Sequence, residues 1–440
     1  MFRRPGVLAA GICSLGGLVF GYDLGALSTV APSLRVAFHL SPMLFGITVA
    51  ASLWGTVCGS ILAGRIVDRI GRQALIGSCA ALYLLAVGAL VLPESAGSWG
   101  VLVGMRCLCG AAIGGLTVGC PLYLAEIAPR SSRGFFVGSF QLQVGLGVLL
   151  AFVSGTLSMR FTGGSMYWRV CLGVGILPAA LLLLLLRCMT PVPYWLESRD
   201  GCEDAQVAAE NLGFLDPESK CEQATPLRDR QTSHEERLFS RKYRRTLLLA
   251  TSIALFNQLS GVNIILFYLL DLLSSAGLTV VLSHQYTIFI SGLNLGTTLL
   301  SMGCVDRFGR KPLLLVGSLG MALCLLSLGV AIPYHANPIW YLIILVAYNG
   351  FFAFSQGTIV WIYLSELFPF GVRGAGQGYG AAVHWIANAL LVLVFPLLQR
   401  SEPMKSFYFF ALMMVVQIGV ILLWYPETKG IALGASDQVT

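Results

Sequence analysis

The chain has 440 residues, of which 56% are hydrophobic and only 11% carry a charged side chain. Soluble proteins carry about 25% charged residues, so this composition, with a mean hydropathy of +0.78, excludes a soluble globular protein and indicates an integral membrane protein. The net charge of +7 comes mostly from Lys and Arg between the apolar runs. We therefore use it to infer orientation and expect no nucleic-acid partner.

Long apolar runs separated by short polar turns predict membrane helices, since outer-membrane strands would alternate over about ten residues. The first run follows Met1-Phe2-Arg3-Arg4 and is not ended by a clear cleavage site, so we interpret it as a permanent helix instead of a signal peptide. The predicted spans lie near residues 6–30, 44–64, 74–92, 99–120, 134–157, 168–188, 246–273, 285–305, 312–333, 339–364, 375–398 and 406–425.

The first span contains an aspartate. Asp23 follows Phe20, Gly21 and Tyr22 in an apolar run, and an ionised carboxylate at the centre of a membrane helix costs about 2.5–3.5 kcal/mol. Arg106, in the fourth span, is a second intramembrane charge and a candidate partner. We therefore predict that Asp23 is a functional acid facing a polar interior. The alternative is that Asp23 lies near the outer end of its helix and is hydrated.

The twelve cysteines are scattered, mostly inside apolar runs. Cys107 and Cys109 are two residues apart, without a nearby His or a second pair to complete a metal site. We expect small packing residues, no disulfide framework and no metal. The sequence also has no nucleotide-binding loop and no nucleophile–base constellation, so we expect neither a cofactor nor an enzyme.

One long polar interval, residues 190–245, separates the sixth and seventh spans, and we interpret it as a linker on the membrane surface. If the N-terminus is inside, the inner segments hold 22 of the 28 Lys and Arg residues and the outer segments hold five. This asymmetry predicts that both termini and the linker are cytoplasmic.

Two motifs recur at nearly the same offset. The motif Asp-Arg-x-Gly-Arg occurs at residues 68–72 and again at 306–310. A glutamate followed seven residues later by Arg-Gly occurs at residues 126–134 and again at 366–374. Each copy occupies the same place in its half, which predicts parallel six-helix repeats related by an axis along the membrane normal. The predicted units are an N-terminal bundle (1–189), the cytoplasmic linker (190–245) and a C-terminal bundle with a short tail (246–440).

These features resemble the sugar porter family of the major facilitator superfamily, which includes bacterial proton–sugar symporters and facilitative glucose transporters. The resemblance runs from about Gly11 to Gly430. Besides the repeated motifs it rests on Gly-Tyr-Asp at 21–23, Gln141-Leu142, Gln-Leu-Ser-Gly-Val-Asn at 258–263 and Pro-Glu-Thr-Lys-Gly at 426–430. It implies an all-α membrane protein with the major facilitator fold, which is twelve helices in two parallel six-helix repeats.

A sugar offers hydroxyl groups and an apolar face, so its site requires amides and an aromatic wall. Amides within spans also form ordinary interhelical hydrogen bonds, and aromatic residues often pack or anchor at the interface. In the family, the positions that match Gln141, Gln258, Asn263 and Asn294 line the central sugar site. The predicted sugar-binding residues are Phe20, Gln141, Asn257, Gln258, Asn263, Tyr268, Asn294, Gly357, Trp361, His384, Trp385 and Asn388.

The chain departs from the family pattern near this site. Asn257 stands where relatives usually have Gln, Phe267 where they commonly have Tyr, and His384 where they often have Asn or Gln. Neutral His donates one hydrogen bond and accepts another, and packing is its alternative role. Thr358 and Val360 replace two prolines that mark a bend in the tenth span of many relatives, so how freely this helix bends is left open.

The repeated motifs also predict a gate at the cytoplasmic ends of the helices. Ion pairs between the turns and the helix ends can latch the two halves together while the outer side is open. A surface salt bridge contributes only ~0–1 kcal/mol, so the network must act as a whole, and the same charges also set the topology. The predicted gate residues are Asp68, Arg72, Glu126, Arg133, Asp306, Arg310, Glu366 and Arg373.

In proton-coupled sugar porters the acid that matches Asp23 takes up the proton and an Arg that matches Arg106 is its partner, whereas facilitative relatives commonly have a neutral residue. The resemblance thus favours import of a monosaccharide (hexose or pentose) by proton symport, with facilitated uniport as the alternative. A sugar sensor and a small-molecule exporter are remoter alternatives. The expected partners are the sugar, the proton and the lipid of a cytoplasmic or plasma membrane, and the expected state is a monomer.

Overall fold

The computed structural model describes residues 4–92, 98–162, 167–193, 195–196, 207–208, 211–212, 238–267, 269, 273, 279–331, 338–401 and 403–431. In this part of the chain, twelve helical segments are long and apolar enough to cross a membrane, which confirms the predicted number of spans. The helices are α1 (Arg4–Ala37), α2 (Pro42–Ile70), α3 (Arg72–Val91), α4 (Trp99–Ile127), α5 (Arg133–Thr162), α6 (Tyr167–Gly173), α7 (Ile176–Leu185), α8 (Arg244–Leu259), α9 (Val262–Phe267), α10 (Val280–Phe308), α11 (Arg310–Ala331), α12 (Pro338–Phe354), α13 (Gln356–Leu367), α14 (Arg373–Ser401) and α15 (Pro403–Trp424).

Glycine lets the first helices of the chain pack backbone to backbone. A Cβ atom on Gly17 or Gly21 of α1 would collide with a carbonyl oxygen of α5. The same holds for Gly55 and Gly59 of α2 against α4. Small residues four apart are a common means of helix association in membranes, where apolar burial between helices contributes little. The glycine spacing therefore fixes which faces of these four helices meet.

The two predicted halves meet through α2 against α14 and through α5 against α10. Gly64 of α2 and Gly378 of α14 are in backbone contact, since a Cβ on Gly64 would lie 2.9 Å from Gly378 Cα. This contact lies one turn before Asp68, toward the end of α2 that is predicted to be cytoplasmic. The bundle is therefore closed between α2 and α14 at this end.

Both Asp-Arg-x-Gly-Arg motifs form the sharp turn between two helices. Gly71 follows α2 with a φ of 86°, and Gly309 follows α10 with a φ of 95°. L-residues with a side chain rarely adopt this left-handed region, which explains the glycine at each turn. Arg72 and Arg310 then begin α3 and α11.

Three spans that we predicted as continuous are interrupted: the sixth between α6 and α7, and two others beside the centre of the bundle. The seventh span breaks at Ser260 and Gly261 (φ 86°), between α8 and α9. The tenth breaks at Ser355, between α12 and α13, although the prolines of many relatives are absent. Ser355 has φ −126° and ψ −89°, which is outside the helical region. The bend therefore exists without proline, two residues before Gly357.

Most of the polar interval at 190–245 lies outside the described residues. Leu238–Tyr243, at its end, leads into α8, and Tyr243 is buried. The division of the chain at residues 189 and 245 therefore stays a prediction.

Candidate functional site

A central cavity, with about 90 Å³ of space for the centres of water molecules, lies between α1 and α5 on one side and α8, α9, α10, α12, α13 and α14 on the other. It is thus bounded by helices of both predicted halves, and the breaks between α8 and α9 and between α12 and α13 lie beside it. The predicted sugar-binding residues that line the cavity are Phe20, Gln141, Asn257, Gln258, Asn263, Asn294, Gly357, Trp361 and His384.

Three predicted residues are not part of this lining. Tyr268 lies outside the described residues. Trp385 lines a second, smaller cavity beside Asp23 instead. Asn388, one turn further along α14, is buried, and neither of its amide atoms has a hydrogen-bond partner among the described residues. A role for these three in sugar binding stays a prediction.

Gln258 is the centre of a hydrogen-bonded row of polar side chains along one wall of the cavity. Its Nε2 lies 3.3 Å from Asn257 Oδ1 and 2.7 Å from His384 Nε2, and its Oε1 accepts a bond of 2.9 Å from Asn263. Asn257 in turn donates to the carbonyl oxygen of Gln356. Since both N–H groups of Gln258 have partners, His384 fixes the orientation of this amide within the wall.

Gln141 and Trp361 connect the two sides of the cavity. The indole N–H of Trp361 donates to Gln141 Oε1 at 3.2 Å, which joins α13 to α5. The Nε2 of Gln141 and the amide of Asn294 have no hydrogen-bond partner among the described residues. These groups retain the donors and acceptors that hydroxyl groups require.

An aromatic row stands next to these amides. The His384 ring lies 5.2 Å from the ring of Trp361 and 5.0 Å from that of Trp385, and Trp385 contacts Phe20 edge to face at 5.2 Å. Aromatic faces suit the apolar face of a sugar ring. His384 therefore belongs both to the polar wall and to the aromatic row.

Sequence reasoning missed two polar residues of the cavity. Asn349 of α12 and Ser291 of α10 line it. Asn349 bonds to the carbonyl oxygen of Leu345, and Ser291 to that of Thr287. An amide within an otherwise apolar span was the available signal for Asn349, whereas a serine that can bond within its own helix gives almost none.

Asp23 and Arg106 form a buried bidentate ion pair. Arg106 Nη1 and Nη2 donate to Asp23 Oδ1 and Oδ2 at 2.6 and 2.9 Å, and the residues are 1% and 4% exposed for Arg106 and Asp23. The Tyr83 hydroxyl of α3 also donates to Oδ1, at 3.2 Å. Sequence reasoning missed Tyr83, which is an isolated tyrosine in an apolar run. The alternative that Asp23 is a hydrated residue at a helix end does not fit this burial.

Four ion pairs of the predicted gate form within the halves. Arg72 pairs with Asp68 and Glu126, both at 2.9 Å. Arg310 pairs with Asp306 at 3.1 Å and with Glu366 at 2.8 Å. Arg72 thus connects the turn between α2 and α3 to the end of α4, and Arg310 connects the turn between α10 and α11 to the end of α13.

The contact across the halves uses a helix N-terminus. Asp306 of α10 accepts hydrogen bonds from the backbone N–H groups of Gly134 (2.9 Å) and Phe135 (2.8 Å) at the start of α5. A carboxylate at this position is favoured by the helix dipole. A Cβ on Gly134 would lie 2.5 Å from Asp306, and one on Gly374, at the start of α14, equally close to Asp68. This explains the glycine in both Arg-Gly pairs.

The arginines of the two Arg-Gly pairs, Arg133 and Arg373, donate hydrogen bonds to backbone carbonyl oxygens. Arg133 donates to the carbonyl oxygen of Ile431, and Arg373 to that of Phe368. Sequence reasoning missed the role of Glu427, whose carboxylate accepts hydrogen bonds from the backbone N–H groups of Arg310 and Lys311 at 3.0 Å each. The C-terminal segment thus joins the same network.

The family model for "Sugar (and other) transporter" matches residues 9–439. The chain belongs to this family. It is 30% identical over 425 residues to the glucose transporter GlcP of Staphylococcus epidermidis, with 96% of this chain and 94% of GlcP covered. It also superposes on the proton:xylose symporter XylE bound to 6-bromo-6-deoxy-D-glucose, with a TM-score of 0.92 and 27% identity, covering 100% of this chain and 99% of that one. The major facilitator fold is thereby confirmed, and the protein is a multi-pass membrane protein.

The helix arrangement is closer to that sugar-bound structure than to an inward-open one. The inward-open conformation of XylE from E. coli gives a TM-score of 0.77 at 26% identity, covering 98% of each chain. The backbone contact between Gly64 and Gly378 agrees with this difference, since it closes one end of the bundle.

Proposed function

We propose that the protein imports a monosaccharide, a hexose or pentose, together with a proton by alternating access. The observation that carries this proposal is the central cavity, where amides and aromatic rings of both predicted halves converge. One of its lining residues, Phe20, is one helix turn along α1 from the Asp23 of the buried Asp–Arg pair. The homologues are glucose and xylose transporters, so sugar transport is the family background for it.

The sugar would bind between Gln141 and Trp361 on one side and the wall around Gln258 on the other. Among the described residues, Gln141 Nε2 and the amide of Asn294 have no hydrogen-bond partner and can bond with hydroxyls, and the ring of Trp361 lines the same space. A site with neutral polar groups on both helix bundles gains contacts only when the bundles approach each other. The sugar therefore binds more tightly to the state in which the bundles are close together, and this difference in affinity is what drives a conformational transition.

The proton would bind to Asp23. Taking up a proton neutralises the carboxylate, which ends the ion pair with Arg106 and leaves mainly the carbonyl oxygen to accept a hydrogen bond, so the attraction between α1 and α4 at this point weakens. Asp23 is three residues after Phe20, which lines the central cavity. The occupancy of the sugar site and the protonation of Asp23 therefore act on the same segment of α1.

The gate would hold the predicted cytoplasmic ends together while the sugar site is accessible from outside. The hydrogen bonds from Gly134 and Phe135 to Asp306 must break before α5 and α10 separate. Both termini and the linker are proposed to be cytoplasmic on the basis of the Lys and Arg distribution. A monomeric state is part of the same proposal.

Uptake of labelled sugars into proteoliposomes, with and without an imposed pH gradient, tests the function. We expect accumulation of one hexose or pentose above equilibrium when the outside is acidic, and its collapse with a protonophore. Equilibration without accumulation would replace symport by uniport. Absence of any sugar flux, combined with competition by hydrophobic cations, would favour the exporter.

A further inference from the structure

A second cavity, which we call the side chamber, lies between α1, α2, α4 and α14. It leaves about 20 Å³ for the centres of water molecules, which is room for at least one water, and is lined by Asp23 and Arg106 together with Val49, Ser52 and Thr56 of α2. Phe20 borders both this chamber and the central cavity. The side chamber is therefore adjacent to the sugar site but is not a part of it.

The chemistry of the lining fits water. Thr56 donates its hydroxyl hydrogen to the carbonyl oxygen of Ser52 at 2.8 Å, and no described residue donates to its hydroxyl oxygen, which can therefore accept a hydrogen bond. Arg106 uses Nη1 and Nη2 on Asp23, but its buried Nε has no partner among the described residues. A buried N–H group normally has an acceptor. A water molecule in the chamber can supply one at the guanidinium.

Two sets of helix contacts flank the chamber. Toward the predicted cytoplasmic end, Gly64 and Gly378 are in backbone contact, and that contact lies two turns or more beyond Thr56 on α2. Toward the sugar site, Phe20 contacts Trp385 edge to face at 5.2 Å, and the indole N–H of Trp385 lies 3.4 Å from Thr117 Oγ1 of α4. Trp385 thus acts as part of the partition between the two cavities.

We propose that the side chamber holds the water through which Asp23 exchanges its proton, on a route separate from the central cavity. This inference rests on the proposed proton symport. A hydronium ion in the chamber transfers its proton to a carboxylate oxygen of Asp23, one O–H bond forms as another breaks, and neutral water remains. The pair with Arg106 then changes from net neutral to one positive charge.

The groups that face Asp23 favour this assignment. The titratable or charged side chains near it are Tyr83 of α3 and Arg106 and Cys109 of α4. The neighbouring helices α2 and α14 contribute the hydroxyls and Trp385, which do not titrate. Among the described residues, the chamber therefore brings no other carboxylate or His to Asp23, and water is the available proton donor.

Filling the chamber tests the route. Val49 is buried and lines the side chamber but not the central cavity, whereas Leu62 of the same helix is exposed. We expect Val49→Phe to slow pH-driven sugar accumulation and sugar-linked proton uptake by about tenfold or more, a barrier increase of about 1.4 kcal/mol. The control Leu62→Phe is expected to behave like the wild type.

A double variant separates a blocked proton route from a damaged protein. Asn at position 23 needs no proton, so Asp23→Asn/Val49→Phe is expected to exchange labelled sugar as fast as Asp23→Asn alone. Wild-type accumulation by Val49→Phe would overturn the proposal, and so would a double variant that exchanges sugar more slowly than Asp23→Asn. If the wild type itself shows no proton coupling, it is the proposed function that fails.

Discussion

The indole N–H of Trp361 and the side-chain oxygen of Gln141 are 3.2 Å apart, so one hydrogen bond connects α13 to α5 across the central cavity. Gln141→Ala removes this bond and the free Nε2 that lines the cavity. A neutral hydrogen bond contributes about 0.5–1.5 kcal/mol, so loss of the bond between Nε2 and a sugar hydroxyl is expected to weaken sugar binding by about two- to tenfold. Equilibrium binding of the transported sugar to purified protein measures the change.

Gln143 provides the matched control for this variant. It lies on the same helix, two residues away, and does not line the central cavity. We expect Gln143→Ala to keep the wild-type affinity for the sugar. An unchanged affinity in Gln141→Ala would remove Gln141 from the sugar site, and equal losses in both variants would indicate a general defect of α5.

The ion pair between Asp23 and Arg106 leads to a second prediction. Asp23→Asn keeps the shape of the side chain but cannot gain or lose a proton. We expect it to abolish accumulation driven by a pH gradient while exchange of labelled sugar across the membrane continues, since exchange requires no net proton movement. Proteoliposomes loaded with unlabelled sugar measure the two activities separately. Accumulation at the wild-type level would exclude Asp23 as the coupling acid.

Most of the fold is predictable from the sequence because membrane helices follow from composition and length alone. The repeated motifs also predicted the two turns, where Gly71 and Gly309 adopt positive φ values. The break at Ser355 was not predictable, since without proline its position depends on tertiary packing around α12 and α13. The side chain of Ser355 donates a hydrogen bond to the carbonyl oxygen of Phe351. Serines inside regular helices form the same bond, so the residue type gives no sign of the break.

The site is less predictable than the fold because a residue type does not reveal which way a side chain points. Trp361 and Trp385 are equally plausible aromatic contacts in the sequence, yet the first lines the central cavity and the second lines the side chamber. In the same way the sequence identifies Asp306 as a gate residue, but its contact with the backbone of Gly134 depends on the packing of α5 against α10.

Breaking the buried pair from one side provides a prediction about stability. Arg106→Gln leaves the Asp23 carboxylate buried without its cation, which typically costs about 3–5 kcal/mol. We expect Arg106→Gln to lower the midpoint of thermal unfolding in detergent, and Asp23→Asn/Arg106→Gln to recover most of the loss because no unpaired charge remains. If the double variant is as unstable as Arg106→Gln, then Arg106 stabilises the protein by its shape and packing and not by its charge.

The contact between Gly64 and Gly378 predicts how the conformational equilibrium can be shifted. A Cβ on Gly64 would lie 2.9 Å from Gly378 Cα and 3.0 Å from the carbonyl oxygen of Gly374, with no flexible side chain to move aside. Overpacking of this kind costs about 1–3 kcal/mol, and it acts only while α2 and α14 are in contact. Gly64→Ala is therefore expected to raise the population that is open at the Asp68 end by about fivefold or more.

Hydrogen–deuterium exchange of the α2 segment around Gly64 measures this opening directly, because separation of α2 from α14 exposes both helices to water at this end. Gly88→Ala is the control, since a Cβ on Gly88 would meet nothing within 4 Å. We expect faster exchange around Gly64 and Gly378 in the first variant and wild-type exchange in the second. Unchanged exchange in Gly64→Ala would mean that the helices accommodate a methyl group without separating, and the closure would then depend on Asp306 and its hydrogen bonds instead.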